Sequence, residues 1–175
     1  MFKELISHPL GLFDKTKRET PPTYPMFSQK ETEQLKKEGN MIITLTGKTY
    51  QELTSTSPQL FPTNEAKWLY IMDQKLFTTP SLRTQVAFNP RKFILEESDK
   101  KTYVEQLRLM KDCQSHSLKK IPLSILGFPE YLEIMSQYFN ETCEYLLKHG
   151  TKIRTATQIG EYNHCNISLN HESIC

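Results

Sequence analysis

No run of about 18 consecutive apolar residues occurs in the chain, so nothing in it reads as a transmembrane span. The opening stretch, MFKELISHPLGLF, has no long apolar h-region and is interrupted by Pro9. No signal peptide is therefore expected, and the cytoplasm is the default location. There is no CxxC pair, and the four cysteines, without a secretory signal, read as reduced thiols rather than a disulfide frame. No G-x-S-x-G elbow and no cysteine-protease context are present, which removes the usual marks of a nucleophilic hydrolase.

Glycine is scarce as well, and the scarcity decides one case. The stretch MIITLTGKTY (41–50) runs apolar and β-branched into Gly47-Lys48-Thr49, the tail of a phosphate-binding loop. That loop, G-x-x-x-x-G-K-[ST], needs a second glycine five residues earlier, and Ile42 stands there. The segment instead predicts a strand over Met41–Thr46 that ends in a Gly-Lys turn, after which Thr49 caps a short helix, YQELTS.

What remains is the profile of an ordinary globular domain, 37% apolar and 24% charged. At 175 residues it is long enough to bury about 70% of its unfolded surface as one domain. A net charge of +2 does not by itself argue for nucleic acid, but the charge is unevenly spread. Residues 91–121 hold eight basic and five acidic side chains, and residues 122–175 hold three and six.

Residues 1–26 read as an apolar hook (Phe2, Leu5, Ile6, Leu10, Leu12, Phe13) on a charged, proline-rich linker, and residues 27–175 as the domain. Ser28 and Glu31 form a capping-box signature for a helix ending at Gly39. Asn64 is placed to cap a helix over Glu65–Phe77. TQVAF and RKFIL, either side of Asn89-Pro90, read as two strands joined by a tight turn. A helix starts near Ser98 with Tyr103, Leu107 and Met110 on one stripe. The strongest element is FPEYLEIMSQYFNETCEYLLKHG, a core helix running to Lys148-His149, with Gly150 just past its end. KIRTATQI and YNHCNISLN close the chain as a hairpin. The expected fold is α+β, a single domain with a mainly antiparallel sheet of about five short strands packed on three to four helices.

Each constellation of reactive residues has a plainer reading beside it. His149, His164, Cys165, His171 and Cys175 are ligand types, but strand alternation separates His164 from Cys165, and no metal or other cofactor is expected. Cys113 and His116 are near neighbours on a helix and read as a core cysteine beside an exposed histidine. Glu130, Glu133, Glu141 and Glu144 read as a solvated helix face, with Glu144 set to pair with Lys148.

The polar hairpin offers one candidate pocket, with Arg154, Gln158, Glu161, Tyr162 and His164 meeting at one end around an anion-capable arginine. The first functional expectation is a non-catalytic interaction module whose partner is another protein or a second copy, with the hook or the hairpin as contact surface and no membrane partner. The alternative is a small-molecule-binding protein or enzyme using the hairpin pocket. A second alternative is a weak nucleic-acid binder through Arg91, Lys92, Lys119 and Lys120 in the basic 91–120 region, tempered by i,i+4 pairing of Lys101 with Glu105 and Arg108 with Asp112.

Overall fold

A computed structural model describes residues 24, 26–60, 75–95, 97–98, 100–116, 123–147, 151–159 and 163–168. Among these residues the fold is α+β, with five α-helices and four strands. Helix α1 (Gln29–Lys37) and strand β1 (Met41–Thr46) are followed by α2 (Tyr50–Thr56), α3 (Lys75–Thr78) and β2 (Arg83–Phe88). Then come α4 (Tyr103–His116), α5 (Phe128–Thr142), β3 (Lys152–Ile159) and β4 (Asn163–Ser168).

Local chemistry sets the first helices. Ser28 accepts from the Glu31 N–H while Glu31 returns a bond to the Ser28 N–H at 2.9 Å. Thr49 and Glu52 repeat the arrangement at the start of α2, and Thr102 and Glu105 at the start of α4. Each box satisfies orphan donors at both of its ends. Gly39 takes φ 78° and Gly47 takes φ 83°, left-handed turns that L side chains rarely adopt.

Among the described residues the strands do not form the expected single sheet of about five. The four strands make two antiparallel pairs, β1 with β2 and β3 with β4. The β1–β2 ladder runs from Met41↔Phe88 to Thr46↔Arg83. The expected TQVAF–RKFIL hairpin is replaced: Pro90–Lys92 is a 3-10 turn, capped by the Asn89 side chain on the Arg91 N–H at 3.0 Å. Proline fits the first position of such a turn, and TQVAF finds its partner in the distant β1. The helix expected from Ser98 begins at Tyr103. The helix expected over Glu65–Phe77 falls mostly outside the described residues, where only Lys75–Thr78 is seen.

Helix α5 organises the core from both sides. Phe128, Leu132 and Met135 pack with Tyr50, Leu53, Leu60, Leu76, Phe77 and Leu147. Ile134 and Tyr138 pack on Ile43 and Leu45 of β1. The helix stops at Thr142, short of the expected Lys148-His149 end. Cys143 turns left-handed at φ 58° and donates its N–H to Phe139 at 2.8 Å, while the Thr142 hydroxyl bonds the Tyr138 carbonyl. That is an αL termination by a residue other than glycine.

Candidate functional site

Glutamates 130 and 133 are not solvated. Glu133 is fully buried and Glu130 is 6% exposed, one turn apart on α5 where it meets the β1–β2 ladder. Glu133 Oε1 accepts from the Thr46 N–H at 2.9 Å, the Thr46 hydroxyl at 2.7 Å and Gln137 Nε2 at 3.1 Å. Its Oε2 accepts from the Ser81 hydroxyl. Four donors converge on this one carboxyl group, which satisfies it away from water. Gln137 also donates to the Thr44 carbonyl at 2.9 Å. Thr44 and Thr46 point the same way out of the strand, so Glu133 and Gln137 together occupy the place of a neighbouring strand and close the outer edge of β1.

Glu130 reaches the segment beside Ser81. Its Oε1 accepts from the Leu82 N–H at 2.9 Å. Burial pushes its carboxyl above the ordinary 4.5; the backbone N–H groups of Glu130 itself, Leu82 and Gly127 pull it down, and the Glu133 carboxylate adds a smaller upward push. The carboxyl folds back over Gly127, the N-cap of α5. A Cβ at Gly127 would collide with Glu130 Oε2 and approach Thr157 Oγ1 to 3.2 Å, so the position is held by a residue without one. With no side chain of its own, the cap borrows one: Thr157 accepts from the Phe128 N–H at 2.8 Å. Ala156 donates its N–H to the Leu126 carbonyl at 2.8 Å. These two bonds draw the middle of β3 toward α5, and the β3–β4 register slips between Arg154 and Gln158.

The bulge falls between the expected pocket residues. Gln158 and His164 do lie opposite one another in the ladder, but Arg154 sits across the slip, paired with Asn166. The Arg154 guanidinium donates to the Lys101 carbonyl at 2.8 Å and to Gln106 Oε1 at 3.1 Å, so it fastens the start of α4 to β3. Glu161 and Tyr162 lie outside the described residues. We expect Arg154→Ala to cost about 1–2 kcal/mol and to raise amide exchange across residues 101–106. Arg154→Lys should recover only part of the loss, because a point donor cannot span both acceptors. Urea unfolding and exchange mass spectrometry check this.

The remaining sequence candidates are placed as follows. Arg91 and Lys92 are exposed on the 3-10 turn, while Lys119 and Lys120 lie outside the described residues. Cys113 is exposed rather than in the core. Glu105 is held below the ordinary carboxylate range by the Thr102 hydroxyl, then the Thr102 N–H, with Lys101 and Arg108 adding smaller pulls. Both cations thus face a carboxylate. Glu144 is exposed, and its intended partner Lys148 lies outside the described residues. Among the described residues no group of His, Cys, Asp and Glu has the arrangement of a metal centre, and no helix is long and apolar enough to cross a membrane.

Sequence reasoning missed Glu130 and Glu133, although a signal was there. From Ile134 to Asn140 the helix carries no charged residue for almost two turns. The first part of the helix is buried on most sides, so Glu130 and Glu133, which precede that uncharged run, lie in the core, while Glu141, which follows it, is exposed. No family model, no curated protein and no solved structure matches this chain.

Proposed function

We propose that the chain acts without catalysis, by binding an extended segment of another protein along the outer edge of β4. The observation that supports this is how the strand edges are finished. The outer edge of β1 is closed by Glu133 and Gln137. The outer edge of β2 receives the Tyr24 N–H on the Arg83 carbonyl at 2.9 Å, and the Gln85 side chain takes the Phe27 N–H. The outer edge of β3 receives Leu126. Among the described residues, only the edge of β4 has no such closure. Its sequence, NHCNIS, contains no lysine, proline or acidic residue, the devices that keep an edge from pairing. An edge of this kind gives affinity through main-chain hydrogen bonds.

The buried carboxylates fit the same reading. Their acceptor positions are taken by Thr46, Ser81, Gln137 and Leu82, so they serve the scaffold. The test is hydrogen exchange on the chain purified with its bound partner and again after the partner is stripped. Protection confined to 163–168 supports strand addition. Protection confined to 1–26 would move the contact to the N-terminal hook. Protection over 91–120, lost with added salt and nuclease, would overturn the reading in favour of nucleic acid.

A further inference from the structure

The β1–β2 ladder has a far end at Met41↔Phe88, away from the buried glutamates, and two basic pairs meet there. Lys36 and Lys37 close α1 just before β1, and Arg91 and Lys92 lie on the 3-10 turn just after β2. The two connections touch: a Cβ at Gly39 would lie 3.4 Å from Asn89 Nδ2, an ordinary contact distance. Each connection is also fixed by its own bonds. The Gly39 N–H donates to the Lys36 carbonyl at 3.0 Å, and the Asn40 side chain donates to the Leu35 carbonyl at 3.0 Å. Across from them the Lys92 N–H donates to the Asn89 carbonyl, while the Asn89 side chain caps Arg91.

All four cations are exposed, and among the described residues none of them makes an ion pair. The nearby acids are engaged elsewhere. Glu33 accepts from Gln29 at 3.0 Å and Glu38 from Gln34 at 3.3 Å. Glu97 lies in the turn that Ser98 and Gln106 tie to α4 and, through Arg154, to β3. This differs from α4 itself, where Lys101 and Arg108 already act on Glu105. The rings beside the patch are committed to the core: Phe88 and Phe93 meet edge-on at 5.2 Å, and Phe93 meets Tyr131 at 5.9 Å. Neither is placed to stack on a nucleic-acid base. The large apolar residue exposed here is Ile94, at 47%.

We infer that this end of the ladder is a second contact surface, which draws an acidic segment of a partner protein onto Lys36, Lys37, Arg91 and Lys92. Ile94 stands at its margin, where an apolar residue of that segment can rest. The surface belongs to the other strand pair, so it goes beyond strand addition at β4 and does not depend on it. Single exposed charges contribute little, but four of one sign on one surface steer and orient an oppositely charged partner.

The test uses the full chain and a synthetic glutamate-rich peptide containing two leucines, with its glutamine counterpart and an oligothymidylate of equal length as comparisons. Amide shifts are followed by NMR and affinities by fluorescence anisotropy at low and raised salt. The expected result is shift changes gathered at 36–39 and 89–94, with an affinity for the acidic peptide that falls as salt is added. Lys36→Glu/Lys37→Glu and Arg91→Glu/Lys92→Glu should each weaken it about tenfold, while Arg108→Glu/Lys111→Glu, an equal change of charge on α4, stays within about twofold. All of these residues are exposed, so unfolding midpoints should match the wild type. Tighter binding of the oligothymidylate overturns the inference in favour of nucleic acid. Equal losses from the α4 reversal, dependence on only one basic pair, or no binding of the peptide also overturns it. None of these outcomes bears on protection at 163–168, which tests the β4 edge separately.

Discussion

Replacing Glu133 by alanine should cost about 3–5 kcal/mol, a large part of the 5–15 kcal/mol by which a typical domain is stable. The residue is fully buried, and four donors end on its two oxygens. Its removal leaves the Thr46 N–H, two hydroxyls and the Gln137 amide facing a hole, and each unsatisfied buried donor costs about 1–3 kcal/mol before relaxation. Full additivity does not apply, because Gln137 keeps the Thr44 carbonyl and water can enter the space. Glu133→Gln should cost less, about 1–2 kcal/mol, since one oxygen still accepts while the new amide faces donors. Glu141→Gln, on the exposed end of the same helix, should stay within about 0.5 kcal/mol. Urea denaturation of the three variants separates a core carboxylate from a solvated one. Equal, small effects at 133 and 141 would restore the solvated-face reading.

Ile134→Ala should rank beside it, at about 2–5 kcal/mol, with Ile134→Val at about 0.5–1.5 kcal/mol. Ile134 is 1% exposed and joins Tyr138 against Ile43 and Leu45. Leu132→Ala empties the opposite side of α5, against Leu53, Phe77 and Leu147, at a similar cost. The helix is shared between the two clusters, so the double variant should have no folded baseline at room temperature. Circular dichroism through a urea series checks this. A double variant that still unfolds cooperatively would mean that the two clusters do not depend on a common helix.

Both effects bear on what the sequence made legible. Short-range chemistry was readable: Ser28 with Glu31, Thr49 capping α2, and the strand Met41–Thr46 all form as the residues imply. Pairing was not. Nothing local in TQVAF distinguishes a partner three residues away from one forty residues back, so the sequence favours RKFIL where the strand pairs with β1. The start of α4 was missed although Thr102 and Glu105 repeat the capping pattern seen at residues 28 and 49.

Of the candidate pocket, the described residues fix the contacts of Arg154. Arg154 has anion-binding chemistry, but its guanidinium is engaged by the Lys101 carbonyl and Gln106 Oε1, partners far away in sequence that local pattern does not reveal. For Glu130 and Glu133, the uncharged run from Ile134 to Asn140 is a better guide to burial than residue type, while Glu141 is exposed as its type implies.

The two strand pairs also differ in how much chain they enclose, and that bears on the order in which the molecule assembles. Between Ile159 and Asn163 lie residues 160–162 alone, while between Thr46 and Arg83 the chain must loop through residues 47–82. Closing the longer loop costs about 2 kcal/mol more in chain entropy. The C-terminal hairpin and α5 are therefore expected to form first, the hairpin on a timescale of about microseconds. The β1–β2 ladder waits for the helix, whose glutamates supply the attachment points that Thr46, Ser81 and Leu82 need before they can meet. Mutations at Glu130 and Glu133 should therefore slow refolding, whereas Arg154, which fastens a peripheral helix, should act mainly on the rate of unfolding.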